Sequence, residues 1–345
     1  MRAIFYPGPS FVPLESLAAM SKEIVHHHSK EFSNVLTNIE YSLKKITHCS
    51  GNVFLLTGSG TSTAESIVDN FLVSNPTTQH LVCCNGRFSN RWANLLQQKN
   101  LTCLTYQEEY GVSHSPLKLL SYLENNPSIS TVWFVHGETS TGVLNPIEEL
   151  IQTVKSYNSS ILCIVDAVSS IGTEHFNFDS WDIDIAFTTS CKGLISPAGI
   201  GCVFTKAGFL GNNQLRFSDN FGRNNVTQPW TPPVQLLYAF EHSLQLICNY
   251  GAEEYIQLSN QNKEYLCDLL KNNNLKVFGE NTLHSVTVVE KPNNELFFEI
   301  LQNEYEIKLI SAQDHLKSHY FRIGTFGFIE KNEIEQLVST LSTFY

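Results

Sequence analysis

The chain has 345 residues, 42% hydrophobic and 16% charged, enough for one large domain, a smaller one and a substantial core. With 22 basic against 33 acidic residues the formal charge is −11, and no basic run occurs, so nucleic acid and an anionic membrane surface are excluded as main partners. Nine scattered cysteines with no CxxC pair give neither a disulfide framework nor a zinc site. No apolar leader and no run of ~18 apolar residues is present, so the expectation is a cytoplasmic protein with no membrane span and no metal.

In chain order, the stretch from Ala3 to Pro13 contains three prolines and a glycine, which rule out regular structure and predict an extended, turning arm over residues 1–13. From Leu14 to about Ile46 the spacing is helical, and His26, His27 and His28 lie inside it as polar surface. Asn52 to Leu56 reads as the first buried strand. It ends at Gly58-Ser59-Gly60-Thr61, after which Ala64, Ile67, Val68, Phe71 and Leu72 fall on one helical face. A strand, a glycine-rich turn and a helix start make an anion site, because backbone N–H groups and hydroxyls meet the positive end of the helix dipole. The same residues also serve plain N-capping. The turn is not a Walker loop, since no Gly-Lys-Ser/Thr follows, and it lacks the third glycine of a dinucleotide fingerprint.

Further strands are expected at His80 to Cys84, Leu101 to Tyr106, Thr131 to His136, Ile161 to Val165, Ile183 to Thr188 and Ile200 to Phe204. Helix-length segments such as Asn90 to Lys99 and Pro146 to Tyr157 separate most of them. This alternation predicts an α/β class: a large domain with a mainly parallel seven-stranded sheet in an α/β/α sandwich, plus a smaller C-terminal α+β domain. Ligands of such sheets sit at the carboxyl ends of the strands. Five polar clusters fall there: Gly58 to Thr61, Asn85 to Phe88, His136 to Gly142, Asp166 to Ser170, and Ser190 to Lys192. Two of those ends carry single charges of opposite sign, Asp166 and Lys192. Pyridoxal 5'-phosphate needs such a pair, an amine to bond its aldehyde and a carboxylate on its pyridinium nitrogen.

Beyond Gly201 come an Asn-rich polar section from Asn212 to Gln228, then Trp230-Thr231-Pro232-Pro233 and a long helical pattern from Val234 through Tyr250. The domain change is expected inside this helix, giving a large domain over 14–240 and a small one over 241–345, with strands at Val286 to Val289 and Tyr320 to Ile323.

The motifs PGPS, GSGT, NGRFSNR, HGETSTGVLNP, VDAVSSIG, SCKGLISPAGIG and FRIGTFG occur in this order, from about residue 5 to 330. Together they resemble the class V aminotransferases among the fold-type-I pyridoxal phosphate enzymes, in the branch of the alanine-glyoxylate, serine-glyoxylate and 2-aminoethylphosphonate-pyruvate enzymes. The resemblance implies a Schiff-base and proton-shuttling role for Lys192 and a pyridinium partner in Asp166. It implies a phosphate cup of Ser59, Gly60 and Thr61, an aromatic ring on the cofactor face in Phe88, and a hydroxyl on the ring oxygen from the Glu138-Thr139-Ser140-Thr141 cluster, with Thr139 and Ser190 among the cofactor contacts. Arg322 matches the arginine that grips the substrate carboxylate, as a guanidinium fork suits a planar anion. Thr231 matches a residue reaching the phosphate of a neighbouring subunit, so a homodimer with shared sites is implied. The partners are then a small amino acid or aminophosphonate donor and an oxoacid acceptor such as pyruvate or glyoxylate.

The ordinary readings are that Phe88 is core, that Arg322 is an exposed ion-pair partner and that His136 is a satisfied strand-end histidine without a catalytic role. Two residues depart from the family pattern. Cys191 stands where a polar group often helps hold the phosphate, so either Arg223, the Ser190 hydroxyl or water compensates, or cofactor affinity is reduced. Arg87 is an extra cation that favours a second anionic group on the substrate. The competing functions are a lyase of cysteine desulfurase type, opposed by Cys267 being the only cysteine after residue 250 and lying in a helical pattern, and a degenerate protein of the same fold that binds without turnover.

Overall fold

Alternating side chains along the central strands feed two separate cores, and this fixes the architecture. In the computed structural model, which describes residues 5–72, 79–208 and 231–345, Val132 and Phe134 point to one side of the sheet while Trp133 and Val135 point to the other. Burying each such side chain contributes roughly 2 kcal/mol, so the strands are held from both faces.

The elements begin with helices α1 (Leu14–Ala19) and α2 (Lys30–Thr47), strand β1 (Asn52–Gly58) and helix α3 (Gly60–Ile67), which runs on as a π turn over Val68–Leu72. Then come β2 (Gln79–Cys84), α4 (Arg87–Gln98), β3 (Thr102–Gln107), α5 (Pro116–Asn125), β4 (Ile129–Val135), the short pair β5 (Gly137–Glu138) and β6 (Val143–Leu144), and α6 (Ile147–Tyr157). Strands β7 (Leu162–Asp166), β8 (Ile185–Thr189) and β9 (Gly199–Thr205) complete the large sheet, and α7 (Val234–Tyr250) and α8 (Ala252–Asn272) follow. The C-terminal part holds β10 (Val286–Glu290), α9 (Phe297–Glu304), β11 (Ile310–Ser311), β12 (Tyr320–Gly324) and α10 (Lys331–Ser342).

The large sheet has the order β1-β9-β8-β7-β4-β2-β3, with β9 antiparallel to both neighbours and the other pairings parallel. Its seven strands match the expected set within one to two residues at most ends. The register pairs Val135 with Asp166 and Asp166 with Phe187, so the carboxyl ends of β4, β7 and β8 lie side by side. Because β9 runs the other way, its starting Gly199 lies opposite Gly58, at this same edge. Helices α3 and α4 cover one face, and α2, α5, α6 and α7 cover the other. The small sheet, β10-β12-β11, puts Arg322 between Val288 and Ile310.

One expectation fails locally. The helical pattern from Leu14 to Ile46 is two helices, because the Ser29 Oγ accepts the Phe32 amide at 3.1 Å and starts α2 afresh. The three histidines therefore lie in the turn ahead of it, with the His26 and His27 rings 4.6 Å apart. Leu244 and Ile247, in the second half of α7, pack in the large core. Among the described residues no helix is long and apolar enough to cross a membrane.

Candidate active site

A cavity of about 480 Å³ opens at the carboxyl edge of the large sheet. Its walls include Gly58 to Thr61, Phe88, Thr139, Asp166 and Lys192, five of the sequence clusters gathered in one place. The gathering follows from the register, since β1, β2, β4, β7 and β8 end at this edge and hand their next residues to the cavity.

Asp166 closes β7 and is 4% exposed. Its Oδ2 accepts the Trp92 indole N–H at 2.9 Å, and its Oδ1 accepts the Val168 amide at 2.9 Å. Burial outweighs these two donors and pushes the carboxyl up to about 7. A buried carboxylate on the cavity wall is a seat for a positively charged group.

Lys192 follows β8 and the Ser190-Cys191 turn. Burial pushes its ammonium down to about 8, and the guanidinia of Arg322 and Arg91 push the same way against the pull of Asp166. The Nζ donates to the Pro7 carbonyl and lies 5.6 Å from the centre of the Phe326 ring. The N-terminal arm is thus part of the site. It is pinned by Ser10 N–H to the Cys191 carbonyl at 2.9 Å, by Gly324 N–H to the Phe5 carbonyl at 2.7 Å and by Phe5 N–H to the Lys308 carbonyl at 3.1 Å. Gly8 has φ +117°, and a Cβ there would lie 2.1 Å from the lysine Nζ, so only glycine admits this approach.

Ser59 caps α3, its Oγ accepting the Ser62 amide at 3.2 Å while its own amide donates to the Ser62 Oγ at 2.7 Å. The amides of Gly60 and Thr61, in the first turn, have no intrahelical acceptor and sit at the positive end of the dipole. Arg91 adds a formal cation there, its Nη1 donating to the Thr61 Oγ1 at 3.0 Å. The capping and anion readings of this turn therefore coexist.

Phe88 lines the cavity, and the Arg91 guanidinium lies 4.9 Å from its ring centre. Arg91 and Trp92 follow Phe88 by three and four positions in α4, which puts all three on one helical face. That spacing was the available signal for both, although the sequence reading gave neither a role. Glu138 holds this helix in place. Fully buried, it accepts the amides of Phe88 at 3.3 Å and Ser89 at 2.9 Å, and its Oε1 also accepts the Ser140 hydroxyl at 2.6 Å. A Cβ on Gly86 would lie 2.4 Å from Glu138, so the approach of carboxylate to helix start requires the glycine. Within the Glu138 to Thr141 cluster, Thr139 lines the cavity, with its Oγ1 2.5 Å from the Ser169 Oγ.

Other residues named from the sequence lie off the cavity wall. Ser190 does not reach the cavity: its hydroxyl donates to the Pro197 carbonyl at 2.6 Å, so it is unavailable to compensate for Cys191, which does line the wall. Arg322 is 4% exposed, not a surface ion-pair residue, and is not among the residues of the cavity wall; its Nε donates to the Ser311 carbonyl at 3.3 Å. Burial pushes it down to about 10, and it stays cationic. Thr231 is exposed and apart from the cavity walls, and Arg223 lies outside the described residues. His136 is buried against Trp181, ring centres 5.5 Å apart, and lines a different cleft.

The donor set suits pyridoxal phosphate: unpaired helix amides with Arg91 at one end, a buried carboxylate at the other, a lysine in the same cavity and an aromatic ring on its wall. Comparison with known proteins gives the family. An aminotransferase of Methanocaldococcus jannaschii, itself uncharacterised, is 31% identical over 351 residues, covering 96% of this chain and 90% of the relative. The serine–glyoxylate aminotransferase of Methylorubrum extorquens is 32% identical over 267 residues, covering 72% of this chain and 66% of that protein. The crystal structure of an alanine–glyoxylate aminotransferase from Nostoc sp. superposes with a TM-score of 0.91 at 25% identity, covering 99% of this chain and 95% of that one. The family model for aminotransferase class-V matches residues 12–313, and the chain belongs to that family and is an aminotransferase of its fold-type-I architecture.

Proposed function

We propose that the protein is a pyridoxal phosphate enzyme that moves an amino group from a small donor, alanine or serine, to an oxoacid, glyoxylate or pyruvate. The observation carrying this reading is that Lys192 and Asp166 share one cavity with the open first turn of α3. When bound, the cofactor supplies an electron sink for the bonding pair released at the substrate α-carbon.

The chain's own residues supply the rest. The Gly60 and Thr61 amides and the Arg91 guanidinium hold the phosphate. Asp166 would pair with the cofactor's protonated ring nitrogen and keep it charged. Phe88 covers one ring face, and the Thr139 hydroxyl is within the same wall for the ring oxygen. Lys192, lowered to about 8, is poised to take and return a proton at the α-carbon near neutral pH. Arg322 fixes the substrate carboxylate. The arm carrying Pro7 and Gly8 roofs the lysine and excludes water. A homodimer with Thr231 reaching the other subunit's site, and a cytoplasmic location, belong to the same proposal.

The serine–glyoxylate and alanine–glyoxylate relatives support the choice of donor and acceptor. The desulfurase alternative loses ground to Cys267, which sits in α8, hydrogen-bonded by Asn281 at 3.7 Å with its thiol pushed up by burial, the opposite of an activated nucleophile on a loop. The test is to incubate the cofactor-loaded protein with glyoxylate and alanine, serine or 2-aminoethylphosphonate in turn, and to quantify glycine. Glycine formed with alanine or serine supports the proposal. No glycine from any donor, with pyruvate equally inert as acceptor, overturns it.

A further inference from the structure

Arg87 and Arg322 both rest against one short segment of the small domain. Arg322 donates to the Ser311 carbonyl at 3.3 Å, and three residues on, Asp314 takes the Arg87 Nη1 on its Oδ1 at 2.5 Å. Arg87 begins α4, directly before the cavity-lining Phe88, and its amide donates to the Ser140 Oγ at 2.9 Å. Arg87 and Asp314 line a cleft beside the cavity that shares Thr61, Arg91 and Trp92 with it, and the buried Arg322 lies close enough to Arg87 to feel its charge.

The sequence alone made Arg87 a spare cation, fit for a second anionic group on the substrate. In the fold that charge is already answered. The other Asp314 oxygen accepts the Tyr110 hydroxyl at 3.1 Å, Tyr110 in turn accepts from the Asn90 amide at 3.2 Å, and the His315 ring lies 4.8 Å from the Tyr110 ring. Asp314 is thus held by two partners from the large domain. It also adopts φ 52°, a left-handed conformation that Asp and Asn tolerate better than other side chains. A partly exposed pair of this kind adds little to stability, so stability alone is a poor account of the arrangement. Its larger consequence is electrostatic: a fixed carboxylate beside Arg87 cancels the field that a second substrate anion would need.

We infer that Asp314 is a specificity-determining residue that occupies Arg87 and restricts the amino donor to monocarboxylates with an uncharged side chain, such as alanine and serine, against dicarboxylic or phosphonic donors. This rests on the proposed aminotransferase reading, in which Arg322 takes the α-carboxylate. Arg87 would then supply a second anion site only once Asp314 is removed.

The test measures binding of two non-reacting probes, propionate and succinate, to the cofactor-loaded protein by calorimetry, so that no turnover is required. Asp314→Asn keeps the backbone conformation and the size of the side chain while removing the charge. It is expected to bind succinate about tenfold more tightly than wild type, with propionate changed less than about twofold. Arg87→Gln in the Asp314→Asn background should return succinate to the wild-type value, since the gain runs through Arg87. A succinate gain below about twofold in Asp314→Asn, or a gain that survives in the double variant, overturns the inference. Failure of the function reading is read separately: a protein that shows these probe shifts but makes no glycine from any donor would lose the proposed reaction while keeping the charge selection.

Discussion

The floor and the rim of the site are built differently. On the floor, Asp166, Thr139, the α3 turn and Lys192 each come from the end of a large-sheet strand or the residues just after it, and the pairing of Val135, Asp166 and Phe187 fixes where they converge. On the rim, Pro7, Gly8, Arg322 and Asp314 come from the arm and the small domain, and they meet the floor through a few long-range contacts. The floor is set by a sheet buried on both faces, whereas the rim depends on close approaches that a single atom can block. The difference teaches that floor substitutions should strike the chemistry, while rim substitutions should strike access, alignment and selectivity.

The largest break should come on the floor. Lys192→Ala is expected to lower turnover by about ten-thousandfold or more, because both the proton carrier and the amine are lost; a steady-state assay with alanine and glyoxylate checks it. On the rim, Gly8→Ala should cost about a hundredfold in turnover. Its Cβ would fall 2.1 Å from the lysine Nζ and force either the arm or the lysine aside, a displacement of order 1 Å at the reacting centre. If turnover in Gly8→Ala stays within about threefold of wild type, the arm is not part of the site.

Asp166 gives a subtler test, made on cofactor-free protein. Its carboxyl is raised from 3.8 to about 7 in the fold. The folded chain therefore binds the proton more tightly than the unfolded chain does. The associated stability is fully present below 3.8 and is lost as pH rises through about 7. Asp166→Asn removes the titration, so it should melt a few degrees above wild type at about pH 8 relative to its position at about pH 4, read by thermal denaturation at both values. Cofactor should abolish that difference by pairing the carboxylate. The smallest effect is expected at Cys191. Cys191→Ser replaces a weak donor on the cavity wall by a stronger one and should tighten cofactor binding by a few fold, measured by equilibrium titration.

The same contrast decides what the sequence reveals. The seven strands were readable because each is a short apolar run closed by small or polar residues, and the floor residues were readable because they stand just after those runs. Arg91 and Trp92 needed only the helical period from Phe88. The rim was not readable in this way. Nothing near Pro7 indicates that its carbonyl meets Lys192, and the 2.5 Å pair that occupies Arg87 joins positions 227 residues apart. No local pattern signals that the Ser190 hydroxyl turns to Pro197 while its chain neighbours Thr189 and Cys191 face the cavity. The break between α1 and α2 hides because apolar spacing continues across it, and only the Ser29 cap, a local competitor for the backbone, marks the restart.

The central claim is that Lys192 and Asp166 hold pyridoxal phosphate between them for amino transfer. The most direct measurement is the visible absorption spectrum of the wild-type and Lys192→Ala proteins after incubation with the cofactor and removal of excess, then after adding alanine or serine and finally glyoxylate. A yellow band in wild type that bleaches with the donor, returns with the oxoacid and is missing this cycle in Lys192→Ala is the predicted result. A wild-type protein that stays colourless after loading, or whose band cycles unchanged without Lys192, would contradict the account.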